Sequence, residues 1–272
     1  MQINGSTEIY GIIGNPVVHS LSPIMHNSAF EALGLNKVYV AFPATNAEKA
    51  LAGCRALGVH GLSVTIPHKE TVLAHIDSID PVAEKIGAVN TLVFDEEKNI
   101  HGLNTDWTGA NRALADRLDL HGKRILLLGA GGSAKAIGFG LLEAGAQVTL
   151  ASRTESRLKA LAEMLKCDCV PLAEIESVNA DALVNATSVG MMPLENATLV
   201  PADSLGNFPL VMDIVYSPLE TRLLREAKNA GCEVINGLSM LLYQGVAQFE
   251  AWTGQDAPVE VMRAALIKMI AG

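Results

Sequence analysis

Gly129, Gly131 and Ala134 recur at the spacing GxGxxA, directly after the apolar run from Arg124 to Leu128 and ahead of a helix-forming stretch from Ala134 to Ala144. In that context the spacing suits a dinucleotide pyrophosphate. Gly129 permits a tight turn, Gly131 removes a side chain where the pyrophosphate must approach the backbone, and Ala134 lets helix pack closely on strand. With Ala130, Gly132 and Ser133 completing the turn, the helix N-terminus offers free N–H groups and the positive end of its dipole. The run from Gln147 to Ala151 reads as the second strand of a βαβ unit. Beyond it, where an NAD site carries a carboxylate for the ribose 2′-hydroxyl, stand Ser152, Arg153 and Thr154, with Arg157 a turn later. Two guanidinium groups in place of a carboxylate predict NADP, whose 2′-phosphate they can hold bidentately. The plainer alternative is that Thr154 caps the next helix and both arginines are solvated.

A second set of residues could bind an anion or another small ligand. Ser22 followed by Pro23 reads as a helix start, a hydroxyl N-cap and then a residue with no N–H to lose, and Ser20 beside it adds a second hydroxyl for an anion. Lys69 follows a strand from Gly61 to Ile66 and the breaker Pro67, at the carboxyl end where parallel sheets bind ligands. Thr65 lies within that strand's end, Asn90 near the start of a strand from Ala88 to Phe94, and Asp106 at the opening of a helix from Trp107 to Leu118. Each has an ordinary reading as well: a cap for Ser22 or Asp106, a solvated charge for Lys69. Further along, the strand ends at Asn185 and Asp213 and the loop at Gly237 would surround a nicotinamide ring, with Thr187, Ser188 and Ile214 counted among the cofactor-binding residues; ordinary strand-to-helix turns are the plainer alternative. Gln244 is a polar amide beside an apolar helical face.

The elements that must position these groups alternate. Strands are read from Glu8 to Ile13 and Lys37 to Phe42, with helices from Ile24 to Leu33 and Ala47 to Leu57. Beyond Arg157 the pattern predicts a helix to Leu165, short strands at Cys169–Val170, Ala182 to Ala186, Leu210 to Ile214 and Glu233 to Ile235, a helix from Leu219 to Ala230, and two C-terminal helices, Ser239 to Trp252 and Val259 to Ala271. This is an α/β chain whose 272 residues suffice for one large or two medium domains. A net charge of −9 argues against nucleic acid and anionic membrane as partners. The four cysteines, Cys54, Cys167, Cys169 and Cys232, lack zinc-like spacing and are expected as buried free thiols. No cationic, apolar leader and no membrane-spanning run is read, so a cytoplasmic location is expected.

Eight segments carry a resemblance that runs through nearly the whole chain. They are GNPVVHSLSP from Gly14, SVTIPHK from Ser63, GAVNTL from Gly87, NTDWTG from Asn104, GAGGSAKA from Gly129, SRT from Ser152, NATSVGM from Asn185 and NGLSML from Asn236. In that order they resemble the shikimate dehydrogenase family. The resemblance implies reversible NADP-dependent reduction of 3-dehydroshikimate to shikimate in aromatic amino-acid biosynthesis, without a metal. It implies two α/β domains: a mostly parallel-sheet substrate domain of residues 1–106 completed by 238–272, and a Rossmann-type NADP-binding domain of residues 107–237, as a monomer or homodimer. By the same resemblance Ser20 and Ser22 hold the substrate carboxylate with Tyr216 nearby, and Thr65, Lys69, Asn90, Asp106 and Gln244 bind the ring hydroxyls. Lys69 is then the proton-transfer residue and Asp106 its orienter. The chain departs from the family where Ser63 stands for the usual Asn, a shorter side chain expected to lose or replace a hydroxyl contact, and where Ser152 stands for an Asn before the Arg-Thr pair. A quinate dehydrogenase using NAD would be expected to carry an acidic residue near Ser152, and a non-catalytic cofactor sensor would have no need of the Lys69 and Asp106 pair.

Overall fold

The computed structural model describes residues 3–271, which divide into two compact units, residues 3–105 with 244–271, and residues 106–243. In the first, β1 (Glu8–Gly14), α1 (Ser22–Ala32), β2 (Lys37–Pro43), α2 (Ala47–Ala56) and β3 (Gly61–Val64) follow the expected alternation. They are joined by β4 (Ser78–Ile79), α3 (Pro81–Ile86), β5 (Thr91–Phe94) and β6 (Ile100–Leu103). The sheet order is β2-β1-β3-β5-β6-β4. Only β5 runs against the others, pairing antiparallel with both β3 and β6, so the sheet is mixed with a parallel majority. Because β5 is reversed, its start lies at the same edge as the carboxyl ends of β1, β3 and β6, the edge to which the candidate residues belong. Ile13, Leu62, Val72 and Leu92 are fully buried in its core.

The second unit contains α4 (Asp106–Ala115), β7 (Arg124–Leu128), α5 (Gly132–Glu143), β8 (Gln147–Ser152), α6 (Glu155–Leu165), β9 (Asp168–Pro171), β10 (Ala182–Asn185), β11 (Leu210–Asp213), α7 (Arg222–Asn229) and β12 (Glu233–Ile235). Its six strands are all parallel in the order β12-β11-β10-β7-β8-β9, a doubly wound arrangement whose order reverses between β7 and β10. The expected α/β fold class with a Rossmann-type sheet is the one observed. The apolar run behaves as read: Leu126, Leu127 and Leu128 are all fully buried, each worth about 1.5–3 kcal/mol relative to exposure. Ala134 is fully buried too, and a Cβ at Gly138 would come within 3.3 Å of Leu127, so α5 lies close on the sheet. Two further helices follow, α8 (Gly237–Thr253) and α9 (Val259–Ala271), and the division between the units falls within α8. Among the described residues no helix is long and apolar enough to cross a membrane.

Several local expectations need correction. The strand read from Ala88 begins only at Thr91, because Val89 and Asn90 give their N–H groups to Lys69 and Leu103 carbonyls outside the regular ladder. The helix read from Leu219 begins at Arg222, where the Thr221 hydroxyl accepts the Leu224 N–H at 3.3 Å. Helix α1 starts with Ser22 inside it and Leu21 at the capping position, so Ser22 is not the cap. The element from Pro81 was not read, although Asp80 accepts from Val82 and Ala83 N–H and Gly87 closes it at a positive φ of 67°. Of the four thiols, Cys54 is buried while Cys167, Cys169 and Cys232 are half-buried.

Candidate active site

In the unit that carries the glycine turn, Gly129 adopts φ 125° and donates its N–H to the Ala151 carbonyl at 2.8 Å, tying the end of β7 to the end of β8. A side chain there would meet the Ala186 carbonyl and Thr187, so a left-handed residue without Cβ is required on both counts. Gly131 caps α5, and a Cβ built on it meets nothing within 4 Å. The space beside Gly131 at the helix N-terminus is therefore open, as the close approach of a pyrophosphate requires. Gly132 and Ser133 open α5 and Ala130 is half-buried in the turn.

Ser152 ends β8, Arg153 and Thr154 are exposed just beyond it, and Arg157 is exposed on the first turn of α6. Thr154 occupies the capping position without a side-chain cap bond, so the capping alternative has no hydrogen bond behind it. Neither arginine has a protein partner among the described residues, which leaves both guanidinium groups available for a phosphate.

Across the switch point, Asn185 ends β10 and is held from several directions. Its Nδ2 donates to Asp213 Oδ1 at 2.9 Å and to the Val189 carbonyl at 3.1 Å, while its Oδ1 accepts from the Thr187 N–H and hydroxyl at 3.1 and 2.7 Å. Thr187 Oγ1 in turn accepts the Val189 N–H, so the turn containing Ser188 is closed by its own side chains. Asp213 is fully buried, and accepts also from the Val215 N–H at 3.0 Å and the Thr221 hydroxyl at 2.7 Å. Burial pushes its carboxyl up to about 6 from the ordinary 3.8, against those hydrogen bonds. Ile214 follows it, and its carbonyl carbon would lie 2.6 Å from a Cβ on Gly237, with the carbonyl oxygen nearer still. Backbone cannot yield as a side chain can. Gly237→Ala is therefore expected to cost about 1–3 kcal/mol in denaturant unfolding and to raise the KM for the nucleotide, since it displaces the Ile214 carbonyl or the start of α8. An unchanged midpoint would show that the backbone gives way freely.

In the other unit the segment after β3 is pinned at each step. The Thr65 N–H bonds the Ile13 carbonyl at 3.0 Å, His68 is buried with Nε2 2.7 Å from the Ala44 carbonyl, and the Lys69 carbonyl accepts the Val89 N–H at 2.8 Å. Lys69 is half-buried. Asn90 is 2% exposed, and its Oδ1 accepts the Thr105 N–H and the Thr91 hydroxyl, both at 2.8 Å. Its Nδ2 faces Thr105 Oγ1 at 3.0 Å and Gln244 Oε1 at 3.4 Å. Asn90 thus positions Thr105, the residue before Asp106, which is buried as the first residue of α4. Ser20 accepts the Ser22 N–H at 3.2 Å, while the hydroxyl of buried Ser22 makes no hydrogen bond among the described residues. Thr65, Lys69, Asn90, Gln244, Ser20 and Ser22 all belong to this unit; Tyr216, half-buried after β11, and Asp106 belong to the other.

Three residues at the Asn90 cluster were not read from the sequence: Thr91, Thr105 and Gln248. Gln248 had a signal, since it follows Gln244 by four residues and so shares its helix face. Ser63 was read only as a shortened contact. It is 4% exposed and bonded on both sides, to Tyr39 and to Gln248.

Comparison with known proteins matches the description "Shikimate dehydrogenase substrate binding domain" over residues 12–92. "Shikimate / quinate 5-dehydrogenase" matches residues 110–217 and "Shikimate 5'-dehydrogenase C-terminal domain" residues 237–267. The shikimate dehydrogenase (NADP(+)) of Methanopyrus kandleri is 47% identical over 284 residues, covering 98% of each chain. A shikimate dehydrogenase solved in complex with NADP+ superposes with a TM-score of 0.92 at 40% identity, covering 99% of this chain and 98% of that one. The Thermus thermophilus shikimate 5-dehydrogenase, solved with NADP(H) and shikimate, gives 0.87 at 40% identity over 96% and 99% of the two chains.

Proposed function

The chain belongs to the shikimate/quinate dehydrogenase family, and from that premise we infer that it catalyses the reversible NADP-dependent reduction of 3-dehydroshikimate to shikimate, a step of aromatic amino-acid biosynthesis. The observation that carries the inference is the near-full-length identity of 47% to an NADP+ enzyme of that activity. The arginines support the cofactor choice. Arg153 and Arg157 stand where an NAD site would carry a carboxylate, and a carboxylate there would repel a 2′-phosphate.

The open space at Gly131 and the guanidinium groups of Arg153 and Arg157 fit NADP: the α5 N-terminus would hold its pyrophosphate and the two arginines its 2′-phosphate. Bound there, the reduced nicotinamide supplies the hydride for the C3 carbonyl. The chain must then deliver a proton to the C3 oxygen, and Lys69 is the group assigned to it, returning it in the oxidative direction. Asp106 is assigned the role of accepting from a ring hydroxyl. Ser20 and Ser22 are assigned to the substrate carboxylate, as is Tyr216, and Thr65, Asn90 and Gln244 to ring hydroxyls. Free thiols at all four cysteines accord with a reducing, cytoplasmic setting.

Initial rates with shikimate or quinate, each with NADP or NAD, test the assignment. Shikimate with NADP is expected to dominate. Preference for quinate with NAD would leave the hydride chemistry but overturn the cofactor and substrate choice, and silence in all four would favour a cofactor sensor. Arg153→Ala or Arg157→Ala is expected to raise the KM for NADP about tenfold while leaving that for shikimate unchanged, the loss of a charge-assisted contact. Equal effects on NAD and NADP would remove the 2′-phosphate from the explanation.

A further inference from the structure

Gln248 is 1% exposed on α8, one turn beyond Gln244. Its Oε1 accepts the Ser63 hydroxyl at 2.8 Å, and its Nε2 donates to Thr91 Oγ1 at 3.0 Å and to the Asn90 carbonyl at 3.1 Å. Upstream, the Tyr39 hydroxyl donates to Ser63 Oγ at 2.6 Å; downstream, the Thr91 hydroxyl donates to Asn90 Oδ1 at 2.8 Å. Every hydrogen bond in this chain runs the same way, from Tyr39 through Ser63, Gln248 and Thr91 to Asn90. A hydroxyl has one proton, so receiving from Gln248 leaves Thr91 to give its own to Asn90 Oδ1. The amide of Asn90 is then held with its oxygen toward Thr91 and the Thr105 N–H, and its Nδ2 on the other side.

We propose that Gln248 is a positioning residue for substrate recognition, relaying a one-way hydrogen-bond chain from Tyr39 and Ser63 to Thr91 that fixes the amide orientation of Asn90. Ser63 serves this chain rather than the substrate. Its hydroxyl donates its one proton to Gln248 and is bonded by Tyr39, so the serine at this position is matched to the glutamine. A longer Asn at position 63 would run into the Gln248 carbonyl only 2.8 Å from Ser63 Oγ. The proposal rests on the reading that Asn90 binds a ring hydroxyl of shikimate.

The test is a mutant cycle on the full-length enzyme, with KM for shikimate, KM for NADP and kcat measured for Gln248→Met, Ser63→Ala, Asn90→Ala and the two double variants with Asn90→Ala. Gln248→Met keeps the volume and removes the relay. It is expected to raise the shikimate KM about three- to tenfold, the range of one misdirected hydrogen bond, with the NADP KM unchanged and kcat less affected. Ser63→Ala removes only a hydroxyl and is expected to move the same constant in the same direction, which keeps the test available should Gln248→Met not fold. In the Asn90→Ala background both substitutions are expected to add nothing further, because they act through that amide. Equal effects in both backgrounds would mean that Gln248 or Ser63 acts independently of Asn90, and would overturn the proposal. So would an unchanged shikimate KM in both Gln248→Met and Ser63→Ala while Asn90→Ala raises it. If Asn90→Ala itself leaves the shikimate KM unchanged, the reading of Asn90 fails, and the proposal with it.

Discussion

Lys69→Ala is expected to lower kcat by about 10²-fold or more while leaving the affinity for NADP nearly intact. The loss is large because hydride addition to a ketone without proton transfer leaves a high-energy alkoxide, and general acid catalysis of that transfer is worth about 10²–10⁴-fold. Selectivity follows from where the residue sits. Lys69 belongs to the unit that carries Asn90 and Ser22, whereas the glycine turn and both arginines belong to the other. Its backbone is held by the Val89 N–H and by His68 on the Ala44 carbonyl, contacts that truncation to Ala does not touch. Fluorescence titration of NADPH alongside initial rates separates the outcomes. Unchanged turnover would remove Lys69 from proton transfer, and a parallel loss of NADPH affinity would point to general damage.

The second large effect concerns stability. Asp213 is fully buried and its carboxyl is pushed up to about 6 in the folded protein, against an ordinary value of 3.8. A folded-state value above the unfolded one means that the native protein binds the extra proton between those pH values. Stability from this group is therefore full below about pH 4 and is lost as pH rises through about 6, up to about 3 kcal/mol in all. Asp213→Asn removes the titration and keeps most of the bonding, since Oδ1 still accepts from Asn185 and Val215 and the Thr221 hydroxyl can accept where it formerly donated. Denaturant midpoints of variant and wild type from pH 4 to 7 should diverge with rising pH in the variant's favour. A constant difference would mean that Asp213 does not titrate in this range. The comparison must be between the two proteins, because His26, fully buried and pushed down to about 3 by burial, works with the opposite sign in both, losing stability as pH falls below its ordinary 6.5.

Local signals in the chain were strong where backbone geometry is set by single residues. The turn at Gly129 was legible because its φ of 125° and the approach of Ala186 leave glycine the only comfortable residue. The all-parallel sheet was legible because strands buried on both faces read as apolar runs. Ser22 misled for the opposite reason: the Ser-Pro pair is a common helix start, yet here Leu21 takes the capping position and Ser22 lies inside the helix. The reversed strand β5 left no mark, since Thr91 to Phe94 has the same composition whichever way it runs.

The sequence by itself determined the fold class and the glycine turn between β7 and α5, because each depends on residue type and short-range spacing, while the candidate substrate residues followed from the family resemblance that its eight segments carry. Only the tertiary structure decided what surrounds Asn90 and Asn185. Gln248 meets Ser63 across 185 positions of chain and Asn90 across 158, and Asp213 meets Asn185 across 28. Hydrogen bonds between groups so distant in sequence follow from which strands are neighbours and which helix face lies over them, and no local spacing encodes that.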